Sequence, residues 1–226
     1  EFDSLDVMNK NADGHDATGR YIPYFVRGAD GKITLEPLKD YDVEGVGDYY
    51  QLPKKTQKEC IIEPFVYPID GEEVLMTSLV APIVRNDQFY GVAGVDIKLD
   101  TMQGWADKSD AFGGQAKIAL ISNKGTLAGV TGQPELVGKS IEEWQKDWEE
   151  DLAFVSEGKF ALQQDEGAIE VYAPISFGST ATPWSVNLIV PEKAFMAEAT
   201  AAVWRMVGLG VIPAILGLAL VIYLAG

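Results

Sequence analysis

The amino-acid sequence predicts a mixed α/β (α+β) protein: two tandem units, each an antiparallel sheet with helices on one side, followed by a transmembrane helix. Three observations predict it. Short β-branched and aromatic runs bounded by Gly, Asp, Asn and Pro recur along the chain. The layout strand, hairpin, strand, helix start occurs twice, in LVAPIVRNDQFYGVAGVDIKLDTM and in VYAPISFGSTATPWSVNLIVPEKAF, with an Ala-Pro-Ile triplet opening both, at Ala81 to Ile83 and Ala173 to Ile175. The stretch from Met206 to Gly226 contains no charged residue.

In chain order, strands are expected at Tyr21 to Arg27, Ile33 to Leu35, Cys60 to Val66, Glu73 to Val84 and Gln88 to Leu99. The Arg85-Asn86-Asp87 break reads as a hairpin turn. A polar, Gly-rich stretch near Thr101 to Gly114 marks a boundary, placing a first unit at residues 1–105 and a second at 106–200. The second unit repeats the pattern with strands at Ala116 to Ser122, Thr126 to Thr131, Phe160 to Gln163, Ala168 to Ser176 and Trp184 to Val190. Between them Ile141, Trp144, Trp148, Leu152 and Val155 fall three and four apart, so Ser140 to Glu157 is expected as one amphipathic helix with a solvated acidic face. The Ala-rich EKAFMAEATAAVWR then runs without a Gly or Pro break into the last segment, 201–226.

That last segment is a membrane-span candidate. About 21 uncharged residues at ~1.5 Å rise reach roughly 31 Å, the thickness of a hydrocarbon core. Trp204 and Arg205 flank it as interfacial anchors, and Pro213 is tolerated in lipid. With no initiator Met, the chain reads as a fragment. A membrane partner is therefore expected, with the acidic part outside the cytoplasm.

Composition narrows the function. The chain carries 18 Lys and Arg against 34 Asp and Glu, a net charge of −16, which argues against nucleic acid as a partner. Hydrophobic residues at 47% supply a packed core. One cysteine, Cys60, and one histidine, His15, cannot make an intrachain disulfide or a His/Cys zinc site. A carboxylate-only cation site stays open by composition, but no cofactor or metal is expected. His15 lies in the loop-like NADGHDATG, and no GxSxG, Walker loop or HExxH occurs. Asp70, Glu72 and Glu73 are conceivable paired acids, but PIDGEE reads better as a Gly-centred turn. An enzyme is not expected.

The run EPFVYPIDGEEVLMTSLVAPIVRNDQFYGVAGVDIKLD, preceded by GRYIPYFVR and DYYQLPKKT, resembles the double Cache ligand-binding domains of bacterial methyl-accepting chemotaxis receptors over about Gly19 to Asp100. The second half resembles the membrane-proximal unit more loosely. The resemblance implies two tandem PAS-like Cache units, a periplasmic or extracellular location, homodimerisation and a small-molecule ligand in the distal unit. It also implies that Phe2 to Asn9 are the end of a long N-terminal helix, and an output domain that is a chemotaxis module, a histidine kinase or a cyclase. Amino-acid-binding members carry an Arg-x-Trp-Tyr segment, an aromatic in the EP strand and an Asp in the GxD strand. Here these fall on Gly47, Tyr49 and Tyr50, on Phe65, and on Asp96; Tyr67 is a further candidate.

Gly47 stands where a guanidinium would pair with a ligand carboxylate. One carboxylate among aromatics instead suits a cation, so an amine or quaternary ammonium is the favoured ligand. Ordinary packing of the aromatics, with Asp96 as a turn carboxylate, is the alternative. A basic residue elsewhere, Arg20, Arg27 or Lys54, would restore an amino acid or organic acid. A structural or adhesive ectodomain is the reading of another class.

Overall fold

The computed structural model describes residues 6–10, 12–28, 30–69, 71–165 and 167–225. The chain divides into two compact units. Unit 1 takes the chain up to Thr101 together with Ser176–Pro183, and unit 2 takes Met102–Ile175 and the chain from Trp184 onward.

Unit 1 is organised around one long strand, β5 (Glu72–Arg85), which pairs antiparallel with β6 (Gln88–Lys98). Asn86 and Asp87 take φ of 51° and 59°, the left-handed pair that a two-residue primed hairpin turn requires. On the other edge of β5 lie β3 (Cys60–Ile61) and, further along, β4 (Phe65–Ile69). A ribbon of β1 (Pro23–Arg27) and β2 (Ile33–Pro37) is separate from this sheet. Alternation along β5 puts Met76, Ser78 and Val80 on one face, all buried, opposite Lys98, Asp96 and Gly94 of β6. Tyr49, Ile62, Tyr67 and Val26 pack with Met76 and Val80 into the core of the unit.

The first helix, α1 (Asp48–Thr56), has no counterpart in the sequence prediction. Asp48 in its first turn and Lys54 and Lys55 in its last match the helix dipole, and Gln57 closes it in the left-handed conformation with its N–H on Pro53 O. Val7–Asn9 form a single 3-10 turn, whereas the expected helix end at Phe2 to Leu5 lies outside the described residues, as does Asp70.

Unit 2 is a five-stranded antiparallel sheet in the order β8-β7-β11-β10-β9, where β7 is Lys117–Ile121, β8 Leu127–Val130, β9 Ala161–Asp165, β10 Ala168–Ile175 and β11 Trp184–Pro191. Ile121, Leu127, Val130, Ile141, Val155 and Tyr172 form its core. Helix α2 (Leu99–Asp107) follows β6 directly, and Gln103 reaches from it to the backbone of Val130.

The expected single helix Ser140 to Glu157 is two pieces. Ser140 caps a 3-10 turn at Ile141–Glu143, and α3 begins only at Trp148, running to Glu157 and a left-handed Gly158 cap. Both pieces lay one stripe on the core, with Ile141 and Val155 buried and Trp144 and Trp148 packed against them, so the three-and-four spacing survives the break. After β11 the chain enters α4 (Glu192–Ala225) with no connecting loop. Its Glu192–Leu216 stretch is long and apolar enough to cross a membrane, and Ala194 near its start packs on Ala116 and Val190.

Candidate functional site

The helix-covered face of the unit 1 sheet gathers aromatic rings around one carboxylate. Asp96 Oδ1 accepts a 2.6 Å hydrogen bond from Ser78 Oγ, its cross-strand partner. Tyr24 lies close to the same carboxylate: burial first, and then the neighbouring Asp96, raise the Tyr24 pKa far above the ordinary phenol value. Burial likewise pushes Tyr49 and Tyr67 up, with the Asp96 charge contributing to both. These phenols therefore stay neutral.

The rings are fixed by one another and by the backbone. Tyr67 meets Tyr24 edge-on at 5.6 Å and Tyr49 and Phe65 at 6.2 Å, while Tyr49 stacks on Phe65 at 6.5 Å. Lys39 ties two of them down: its N–H donates to the Tyr67 oxygen at 2.8 Å, and its carbonyl accepts from the Tyr49 hydroxyl. A second carboxylate joins the group. Glu36, opposite Tyr24 on the β1–β2 ribbon, adds its charge to both Tyr24 and Tyr67, and its Oε1 is buried with no hydrogen-bond partner among the described residues. Its Oε2 pairs with Lys39 Nζ at 3.1 Å.

The structure thus brings Tyr49, Phe65, Tyr67 and Asp96 together and turns Tyr50 away. Consecutive helical residues point about 100° apart, and Tyr50 packs instead on Tyr41 and Phe89. There it meets Arg20, whose Nη2 donates to the Tyr50 hydroxyl at 3.0 Å and whose guanidinium sits 5.0 Å from the Tyr41 ring centre and 5.6 Å from that of Tyr50. Lys54 Nζ lies 5.3 Å from the Tyr50 ring. Arg27 is on the exposed ribbon, bonded to Gly31 O at 3.4 Å. Among the described residues Asp96 has no ion pair.

Tyr24, Glu36 and Ser78 escaped the sequence reading. The signal for Tyr24 was present, since in β1 it alternates with exposed Phe25 and shares a face with buried Val26. A cavity of about 460 Å³ in unit 1 lies elsewhere, with Leu79, Ala81, Ala93 and Val95, whose side chains alternate away from Asp96, in its wall. Its one acid, Glu59, already accepts from the Ser179 N–H and hydroxyl at 2.6 and 3.0 Å.

The chain belongs to the Cache-type sensor domains found in chemoreceptors and histidine kinases. Residues 6–104 match the methyl-accepting chemotaxis protein-like, first PDC sensor domain. The chain is 25% identical, over 241 aligned positions, to the methyl-accepting chemotaxis protein TlpQ of Pseudomonas aeruginosa; the match covers 96% of the chain but only 34% of that protein, about a third of its length. Two solved extracellular domains of histidine kinase candidates are similar in fold and sequence. One, mmHK1S-Z3, is 28% identical with a TM-score of 0.73, covering 88% of this chain and 72% of the other. The second, mmHK1S-Z2, is 32% identical with a TM-score of 0.69, covering 86% and 72%.

Proposed function

We propose that the chain is the extracytoplasmic sensor of a transmembrane chemoreceptor, and that unit 1 binds a small amine or quaternary ammonium at Asp96. The observation that carries this is the Asp96 carboxylate, held by Ser78 and open to solvent, beside the rings of Tyr24, Tyr49, Phe65 and Tyr67. A cation gains the carboxylate charge and ring contacts of about 0.5–2 kcal/mol each, and Glu36 adds to the same field. Dimerisation and a cytoplasmic methyl-accepting output belong to this reading, with α4 as the membrane anchor. Ligand binding shifts signalling by its differential affinity for two conformations.

A second reading has one observation in its favour. Arg20, held over Tyr41 and Tyr50, is a cation on the same unit that an amino acid or organic acid carboxylate would meet. Calorimetric titration of the detergent-solubilised chain separates the two. Saturable binding of amines, weakened at least tenfold in Asp96→Ala with the fold retained, supports the first. Binding of organic acids alone, lost in Arg20→Ala, moves the function to the second, and binding of amines unchanged in Asp96→Ala ends the Asp96 assignment.

A further inference from the structure

The root of α4 is seated by one small apolar cluster. Among the described residues Ala194 is the one buried side chain of the helix, packed with Ala116 and Val190 and flanked by Leu188, Ala111 and Phe112. The Phe112 ring also lies 6.5 Å from that of Phe195, the next residue of α4. Part of the seat is therefore delivered by the turn Ala111–Gly114, between α2 and β7. That turn is strained. Phe112 takes φ 52° and ψ 39°, and Gly113 and Gly114 follow at φ 67° and 75°, three successive residues in the left-handed region. Glycine adopts this freely, whereas Phe112 is held there against a roughly five- to thirty-fold preference for right-handed backbone. The other described non-glycine residues with positive φ, Asp40, Gln57, Asn86 and Asp87, all have polar side chains; Phe112 does not.

The backbone bonds of the turn are long. The Gly114 N–H reaches Asp110 O at 3.1 Å, the Ala116 N–H reaches Ala111 O at 3.3 Å and the Gln115 N–H reaches Phe112 O at 3.4 Å, against the usual ~2.9–3.0 Å. What holds Phe112 left-handed is the packing of its ring at the root of α4. A backbone outlier kept in place by its surroundings is a store of strain that a change in those surroundings releases. We infer that the Ala111–Gly114 turn is a two-state clasp on α4, left-handed with Phe112 seated against the root of the helix, and right-handed with the ring withdrawn and the root released. The coupling is reciprocal. Displacing α4 removes what holds Phe112 left-handed, and relaxing the turn removes one wall of the Ala194 seat. The clasp goes beyond the ligand reading above and is independent of which ligand unit 1 takes.

Gly113 and Gly114 allow a clean test, because a Cβ added at either meets nothing within 4 Å. Alanine at both positions opposes the left-handed backbone without a clash. The readout is hydrogen exchange of the detergent-solubilised chain, followed by mass spectrometry on peptides covering 109–116 and 196–202, with β7 as internal control. In Gly113→Ala/Gly114→Ala both segments are expected to exchange at least tenfold faster, the second because a released root frays, while β7 keeps its protection. Phe195→Ala approaches from the other side and should speed exchange in 109–116 by a similar factor. A turn with a purely structural role would lose its own protection and leave α4 unmoved. Faster exchange in 109–116 with 196–202 unchanged, no change in either segment, or a turn untouched by Phe195→Ala overturns the proposal. The last outcome decides even if the alanine variant fails to fold, since Phe195 is 43% exposed and outside the buried core.

Discussion

Replacing Gln103 by Leu tests how the outer edge of the unit 2 sheet is closed. In the native chain Gln103 behaves as a fragment of a sixth strand. Its Oε1 accepts the Val130 N–H at 2.8 Å and its Nε2 donates to the Val130 carbonyl at 2.8 Å, on the outer edge of β8. Val130 is 0% exposed and Gln103 7%, so water does not replace either bond. The two losses differ. The carbonyl keeps a second donor, the Gln133 N–H at 3.0 Å, and forfeits one net hydrogen bond, about 0.5–1.5 kcal/mol. The amide has Gln103 as its partner and is stranded, at about 1–3 kcal/mol. Leu matches Gln in size, so packing changes little, and the expected cost is about 2–4 kcal/mol. Hydrogen exchange at the Val130 amide reads this directly, because ~1.4 kcal/mol is a factor of ten. Exchange faster by roughly 30-fold to several hundred-fold is expected in Gln103→Leu. Protection within twofold of the native chain would refute the edge-closing role and the reasoning about buried donors behind it.

Three further outcomes follow from titration and backbone geometry. Asp151 has its pKa raised to about 6 by burial, against an ordinary 3.8, so the folded state holds its proton longer than the unfolded chain. Its contribution to stability is full below pH ~4 and fades by up to ~3 kcal/mol as pH rises to about 6; urea midpoints at pH 4 and 7 should show Asp151→Asn with a flatter loss than the native chain. Asp16 moves the other way: burial opposes ionisation, but bonds from the Tyr41 and Thr18 hydroxyls and the Thr18 and Arg20 amides hold its pKa down at about 2. Its stabilisation is present above pH ~4 and lost as pH falls toward 2, so the melting gap between native and Asp16→Asn should be wide at pH 6 and closed at pH 2. Asp87→Val puts a β-branched residue at φ 59° in the hairpin turn; chemical denaturation should show a loss of about 1–2 kcal/mol.

The strands were legible because their signal is local. The period-two runs and the Asn86-Asp87 turn appear in the structure within about two residues of their predicted limits, except that Cys60 to Val66 resolves into β3 and β4. Helix α1 was not legible, since Pro53 and two adjacent tyrosines argue against a helix, and it is held by burial of Tyr49 and Pro53 together with its Gln57 cap. The break before α3 was hidden for the opposite reason: side-chain spacing survives a kink whenever both pieces face one core. Of the candidate cluster, Tyr49, Phe65, Tyr67 and Asp96 could be named from the sequence, and the members that long-range packing adds could not. Tyr24 and Glu36 come from a ribbon far from Asp96 in sequence, and no spacing rule connects them. The Tyr49-Tyr50 pair shows the limit most plainly. Adjacency in sequence reads as a pair, but a helix sends the two rings to different neighbours.

The absence of a loop between Pro191 and Glu192 makes α4 inherit an azimuth as well as a position. With about 3.6 residues per turn, the strand register of β11 fixes which side Trp204 and Arg205 present. Inserting one residue at that junction would swing every later side chain by roughly 100°, and inserting four would return them close to their original bearing. The junction is a keyed shaft: it ties the bearing of the helix to the sheet, and keeps that bearing on insertion only in near-whole turns.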